Sequence, residues 1–103
     1  MSDAVSRIIV ERSITPARRA ELGVDGWPLW KDGMGSRTLT LDAPEKSFFL
    51  AGEVVLTMEG GEPVTVGKGD LTIIPAGACH WGVKADVRRH YRSDALSPAC
   101  CII

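Results

Sequence analysis

The sequence predicts an all-β sandwich or barrel with one short helix near the N-terminus. Three observations predict it: short runs in which apolar and polar residues alternate, turn residues recurring between them, and a single stretch with helix-start and helix-stop chemistry. In chain order, "SRIIVER" (6–12) reads as an N-terminal strand. Thr15 then suits a helix N-cap, Pro16 the first helical position, and "ARRAEL" follows until Gly23 stops it. "RTLTL" (37–41) sets Leu39 and Leu41 on one face with Thr38 and Thr40 on the other. "VVLTM" (54–58) groups Val54, Leu56 and Met58 against Val55, Thr57 and the following Glu59. "VTV" (64–66), "LTII" (71–74), "WGV" (81–83) and "VRRHYR" (87–92) complete the series. Its dividers are Ala51-Gly52-Glu53, Glu59-Gly60-Gly61, Gly67-Lys68-Gly69-Asp70 and Pro75-Ala76-Gly77. Strands this short, at this spacing, form sandwiches and barrels.

Length and composition bound the function. A chain of 103 residues is expected to form one domain, with an N-terminal arm over 1–30, a barrel over about 31–95 and a short C-terminal tail. Its 45% apolar and 24% charged residues are ordinary for a globular protein, and the net charge of -1 comes with no basic block. Nucleic acid is therefore not an expected partner. No apolar run reaches the length of a membrane span and residues 1–7 lack a secretory pattern, so the expected location is the cytoplasm. Cys79, Cys100 and Cys101 make an odd set that is not a disulfide framework. The final Cys-Cys-Ile-Ile fits a C-a-a-X prenylation pattern but lacks an upstream polybasic segment, so an apolar tail or end strand is expected instead. With no Asn and no Gln, polar recognition falls to charged groups, hydroxyls, His, Trp N–H and backbone.

The run "GDLTIIPAGACHW" (69–81) carries the most information. Gly69-x5-Pro75-x-Gly77-x2-His80 resembles the second sequence motif of the cupins up to its histidine, and "FFLAGEV" (48–54) resembles part of the first motif. "WPLW" (27–30) and "VRRHY" (87–91) resemble signatures of a narrower group, the small single-domain cupins related to (S)-ureidoglycine aminohydrolase and to the ethanolamine-utilisation cupin of the RmlC-like superfamily. The resemblance implies a cupin double-stranded β-helix, that is, a jelly-roll barrel with a pocket at one end. It covers 27–92 and is more specific for fold than for activity, because one fold hosts many chemistries.

Metal-bearing cupins hold Mn, Fe, Ni or Zn with three His and one Glu. The resemblance carries the glutamate onto Glu45 and the second-motif histidine onto His80, while the two first-motif histidines fall on Leu39 and Leu41. The motif's asparagine falls on Lys84, whose ammonium, facing inward, would repel a cation. Two protein donors hold a divalent ion poorly, since catalytic sites supply at least three. The expectation is a site without metal or other cofactor; any metal present would sit on Glu45 and His80.

Strand alternation and motif position disagree about His80. Alternation puts Trp81, Val83 and Ala85 on one face and His80, Gly82 and Lys84 on the other, which makes the tryptophan face the core. The motif reading points His80 inward and requires a bulge near Gly77 or Gly82 to reset the parity. Glu45 is either an exposed acid in "DAPEK" or a pocket residue; beside His80 in an apolar cavity the two would pair. Cys79 and His80, as strand neighbours, face opposite ways and do not form a nucleophile–base pair. His90 alternates with Arg88 and Arg92 on an expected solvated face, whereas Val87, Arg89 and Tyr91 share the other. Trp27 and Trp30 flank Pro28 on an arm that packs on the barrel or roofs its pocket.

The expected function is a small-molecule-binding cupin that holds a small polar metabolite, anionic or amine-bearing, as a homodimer. Leu39, Leu41, Phe49 and Trp81 form the expected bed of its pocket, with Glu45, His80 and Tyr91 as polar contacts. The alternative is a metal-dependent, aminohydrolase-like or isomerase-like enzyme acting on a small nitrogenous substrate. A structural dimer or accessory subunit is a third reading.

Overall fold

In the computed structural model, residues 7–93 are described. Seven strands, β1 (Ile9–Glu11), β2 (Leu29–Asp32), β3 (Gly35–Leu41), β4 (Glu45–Met58), β5 (Val64–Gly67), β6 (Leu71–Ile74) and β7 (Gly77–Ser93), form one antiparallel sheet. Helix α1 (Pro16–Leu22) and a 3-10 turn (Val24–Gly26) lie between β1 and β2. This is the predicted all-β fold with one short helix.

Two long strands organise everything else. The first half of β4 pairs with β6 and with the last residues of β7, while its second half pairs with β5 and with the first residues of β7. Likewise β7 takes β3 along Gly77–Val83 and β2 along Val87–His90. "FFLAGEV", expected to contain a turn at Ala51-Gly52-Glu53, therefore runs on into "VVLTM" as one strand, and "WGV" and "VRRHYR" are likewise one strand. Ala51-Gly52-Glu53 is not a turn but a bend, where the β4–β7 register slips between Phe49 and Val54. Gly52 makes the bend possible. Its φ is +93°, and a Cβ there would lie 2.2 Å from the Asp86 carbonyl oxygen, so no other residue fits without displacing the backbone.

The bend folds the sheet over so that both halves bury one core: Phe49 and Val87 from one half, Val54, Leu56, Cys79, Trp81 and Val83 from the other, with Val66 and Ile74. Alternation in β3 and in the second half of β4 follows the sequence pattern, with Leu39, Leu41, Val54, Leu56 and Met58 inward. The outer face of the first half is not left to solvent. Phe48 and Leu71 pack there against Val24 and Trp27, with Ile14 and Leu22 alongside. The helix delivering those residues has the predicted ends: the Thr15 side chain accepts from the Arg18 N–H at 3.1 Å, Pro16 opens the helix, and Gly23 closes it at φ 69°. The Gly69-Asp70 turn of the motif is structural, since the Asp70 carboxylate accepts from the Ser13 and Gly67 N–H groups and from Arg12.

Among the described residues no helix is long and apolar enough to cross a membrane. Residues 100–103, with the C-a-a-X pattern, and Cys100 and Cys101 lie outside the described residues.

Candidate functional site

Alternation along the second half of β7 places Val87, Arg89 and Tyr91 on the inward face and Arg88 and Arg92 in solvent. His90, on the outward side, is tied by its Nδ1 to the Trp27 carbonyl at 2.9 Å. The register Ser47↔Tyr91 and Phe49↔Arg89 brings the inward residues of β4 beside them. Arg89 is thereby carried into the barrel at 5% exposure, where an unpaired charge would cost several kcal/mol.

The pairing is supplied by two carboxylates from distant parts of the chain. Arg89 Nη1 donates to Glu45 Oε1 and to Ser47 Oγ, both at 2.9 Å. On its other side, Arg89 Nε lies 3.8 Å from Oδ2 of Asp32, the last residue of β2. Asp32 Oδ1 accepts from the Trp30 indole N–H at 2.9 Å and from the Arg37 guanidinium. The Arg89 guanidinium lies 4.6 Å from the centre of the Trp81 ring and 5.4 Å from that of Tyr91, which fixes its plane. Tyr91 in turn meets Trp30 edge-on, with centroids 6.5 Å apart.

Three buried polar atoms here have no hydrogen-bond partner: Asp32 Oδ2, Arg89 Nε and Trp81 Nε1. Orphaned groups of this kind are rare in folded proteins and mark a place for water or a ligand. Beside them a hollow of about 220 Å³ opens to solvent between Trp30, Arg37, Leu39, Arg89 and Tyr91. A second hollow of about 230 Å³ reaches the same cluster, lined by Asp32 and Arg37 with Met34, Ser36 and Val83, but without Arg89 or an aromatic wall. His80 lines a separate hollow with Thr38, Thr57 and Glu59. Another of about 260 Å³ near Met58 has Arg7, Glu59 and Glu62 as its charged residues, all exposed. The one that Asp70 lines offers a carboxylate with both oxygens already bonded.

Most of the residues named from sequence surround this cluster, with one clear exception. Leu39 and Tyr91 line the hollow. Trp81 and Phe49 are fully buried beneath it with ring centroids 6.4 Å apart, and Leu41 packs against the same core. Glu45 is buried behind Arg89. His80 is exposed on the opposite face of β7, in register with Thr38 and Thr57, and does not meet Glu45. The inward orientation expected from the motif is thus corrected. Pairing is regular with β3 from Gly77 to Val83 and with β4 from Cys79 to Val83, and the register slips come only beyond Val83, too late to turn His80. The partner expected for Glu45 was an imidazole; it is a guanidinium.

The sequence reading missed Asp32, Arg37, Ser47 and Arg89. A signal existed for Arg89, which alternation set beside Val87 and Tyr91. None existed for Asp32, at the end of a strand read as an extended arm.

The EutQ-like cupin domain family matches residues 19–91. The chain belongs to this family. It is similar to a crystal structure of a DUF861-family protein from Thermotoga maritima at 34% identity and a TM-score of 0.80, over 84% of this chain and 99% of that one. A Salmonella typhimurium protein described as an ethanolamine utilization protein Q is 28% identical with a TM-score of 0.55, covering 61% of this cupin and 51% of that chain. A DUF1255 protein from Acidithiobacillus ferrooxidans, 23% identical with a TM-score of 0.59 over 61% of each chain, shares the fold. No curated protein matches this cupin significantly.

The residues of this cupin do not fit the transition metal that the resemblance implies. Leu39 and Leu41 occupy two donor positions, His80 lies outside, and Glu45 Oε1 is held by a guanidinium. Among the described residues no group of three or more His, Cys, Asp or Glu is arranged to hold an ion. Cys79, buried in the core, has its thiol pushed up to about 11 by burial and is not a thiolate at neutral pH.

Proposed function

We propose that this cupin binds a small organic molecule, without a metal, in the hollow between Trp30, Arg37, Leu39, Arg89 and Tyr91. One observation carries the reading: the buried Arg89 Nε has no hydrogen bond, its nearest carboxylate oxygen standing 3.8 Å off, and Arg89 lines an open hollow walled by aromatic and aliphatic side chains. Small-molecule sites combine an apolar lining with a few convergent polar groups in the same way. Family membership supports a small-molecule-binding cupin. Glu45 keeps the family's acidic position with Arg89 as its counter-ion, so the site needs no cation to neutralise it. The expected homodimer stays part of the proposal, supported by Leu29, Trp30 and Met34, exposed at and beside the edge strand β2; sedimentation velocity reads it.

The test is elemental analysis of protein purified without chelator, combined with thermal melts with and without EDTA and NMR titration of a metabolite panel. Substoichiometric metal, an unchanged melting temperature in EDTA, and ligand-induced shifts at the Trp30 indole are expected. Stoichiometric Mn, Fe, Ni or Zn that disappears in Glu45→Gln would replace this reading with the metal-dependent enzyme.

A further inference from the structure

Resting on that reading, we infer that the hollow takes a small organic carboxylate, gripped by Arg37 and Arg89, and that Asp32 is the internal carboxylate with which it competes. Five residues line the hollow, and the only charged ones among them are the two arginines. Both carboxylates of the cluster, Asp32 and Glu45, are buried and engaged with those arginines. An incoming ligand therefore meets the guanidinium groups first. Asp32 and Glu45 balance the charge of the cluster, so the preference for an anion comes from the guanidinium N–H donors that face the hollow.

The geometry suits a planar anion. A guanidinium offers parallel N–H donors that match the two oxygens of a carboxylate. Arg89 uses Nη1 on Glu45 and Ser47 and leaves its Nε–H without an acceptor, and its plane is held by Trp81 and Tyr91. The nearest internal acceptor, Asp32 Oδ2, stands off at 3.8 Å, too far for a hydrogen bond, and is itself unpartnered. Arg37 holds the other Asp32 oxygen with a side chain that is 44% exposed, so it is free to swing onto a ligand. The rest of the wall, Trp30, Leu39 and Tyr91, fits the apolar body of such an acid. At about 220 Å³ the hollow is smaller than the pockets of about 300–1,000 Å³ that hold drug-sized ligands, which limits the acid to a short chain or a single ring.

The test uses isotope-labelled protein in low-salt Tris-chloride and three probes of one shape: benzoate, benzamide and benzylamine. The Trp30 indole N–H, which donates to Asp32, and the Arg89 Nε–H report the site. Benzoate is expected to shift both signals, more weakly as salt is added, while the amide and the amine bind at least about tenfold less tightly. Arg37→Gln, which takes one donor from Asp32 but leaves the buried Glu45–Ser47–Arg89 contacts in place, should weaken benzoate about tenfold. Asp32→Asn should strengthen it severalfold by removing the competitor. Benzamide or benzylamine binding as tightly as benzoate at these signals overturns the carboxylate inference and leaves the pocket reading intact. Silence of both signals toward all three probes, up to about 10 mM where even weak binding registers, overturns both. Full benzoate affinity in Arg37→Gln, in protein whose dispersed spectrum proves it folded, also overturns the inference.

Discussion

Removing Glu45 and Asp32 one at a time and then together tests the charge cluster at the centre of this protein. Arg89 is almost wholly enclosed, with Glu45 Oε1 at 2.9 Å and Asp32 Oδ2 at 3.8 Å. At an effective dielectric near 20 those separations correspond to gross attractions of roughly 6 and 4 kcal/mol, most of which offsets the desolvation of the three groups. Glu45→Gln keeps the shape and loses one charge-assisted hydrogen bond, so it should cost about 1.5–3 kcal/mol, cushioned because Asp32 still faces the guanidinium. Asp32→Asn is cushioned by Glu45 in the same way. The double variant leaves Arg89 buried with no counter-ion and removes the cushioning of both singles, so its cost should reach about 4–7 kcal/mol. Its loss should therefore exceed the sum of the single losses by about 1 kcal/mol, within the range measured for residues sharing a network. Against a total stability of about 5–15 kcal/mol, the double variant should sit near the unfolding threshold. Urea unfolding followed by tryptophan fluorescence reads all three as midpoint shifts at constant m-value. If Glu45→Gln unfolds at the wild-type midpoint, or the double variant equals the sum of the singles within about 0.5 kcal/mol, the cluster does not hold Arg89 as described.

Three further predictions concern the frame around the cluster. Gly52→Ala should destabilise the protein by at least about 2 kcal/mol in the same urea assay, because its Cβ collides with the Asp86 carbonyl at a positive φ; a change under about 0.5 kcal/mol would refute the bend. His80→Ala should leave stability and benzoate affinity within error of wild type, since its side chain lies in solvent on the far face; a lost affinity would return His80 to the site. The Cys79 thiol, pushed up to about 11 from an ordinary 9.0, should resist alkylation at pH 8 in the folded protein by peptide mapping. Because its folded value is raised, its contribution to stability is intact below about pH 9 and is lost as pH rises through about 11, so Cys79→Ala should flatten the alkaline fall in melting temperature.

What sequence could reveal here was local. The helix was legible down to its caps because Thr15, Pro16 and Gly23 act on their own neighbours. Alternation in β3 and in the second half of β4 was legible for the same reason. The continuity of β4 was not, since Ala51-Gly52-Glu53 is as suitable for a turn as for a bend, and only the close approach of the Asp86 carbonyl separates them. His80 exposes the limit of a motif: alternation placed it outward, motif position placed it inward, and the regular register from Gly77 to Val83 favours alternation. The Arg89 partnership lay beyond reach. Its acceptors are 44 residues away at Glu45 and, in the other direction of approach, on β2 at Asp32, and no local pattern announces a pair closed by a register between distant strands.

A single physical constraint ties the leucines, the glutamate and the arginine together. A carboxylate carried into a barrel must be neutralised there or be expelled. The sequence resemblance carries a metal-ligand glutamate of the cupins onto Glu45, and in a metal-bearing site the ion itself would meet that charge. In this chain Leu39 and Leu41 supply no donors, so a cation arriving at Glu45 would find one carboxylate oxygen already bonded to a guanidinium. Arg89 meets the charge instead, from a strand position whose inward direction is set by Val87 and Tyr91 on either side. A guanidinium differs from an ion in one way that matters for binding: it is tethered, and it presents N–H donors rather than empty coordination positions. The site is thereby turned from one that attracts lone pairs onto a metal to one that offers hydrogen bonds to an acceptor. Arg89→Met separates the two chemistries, because it removes the donors and frees Glu45 without adding a ligand. If the variant folds and then takes up Zn or Mn, Arg89 was displacing a metal; if it loses benzoate and still takes up none, the leucines alone exclude the ion and Arg89 serves the ligand.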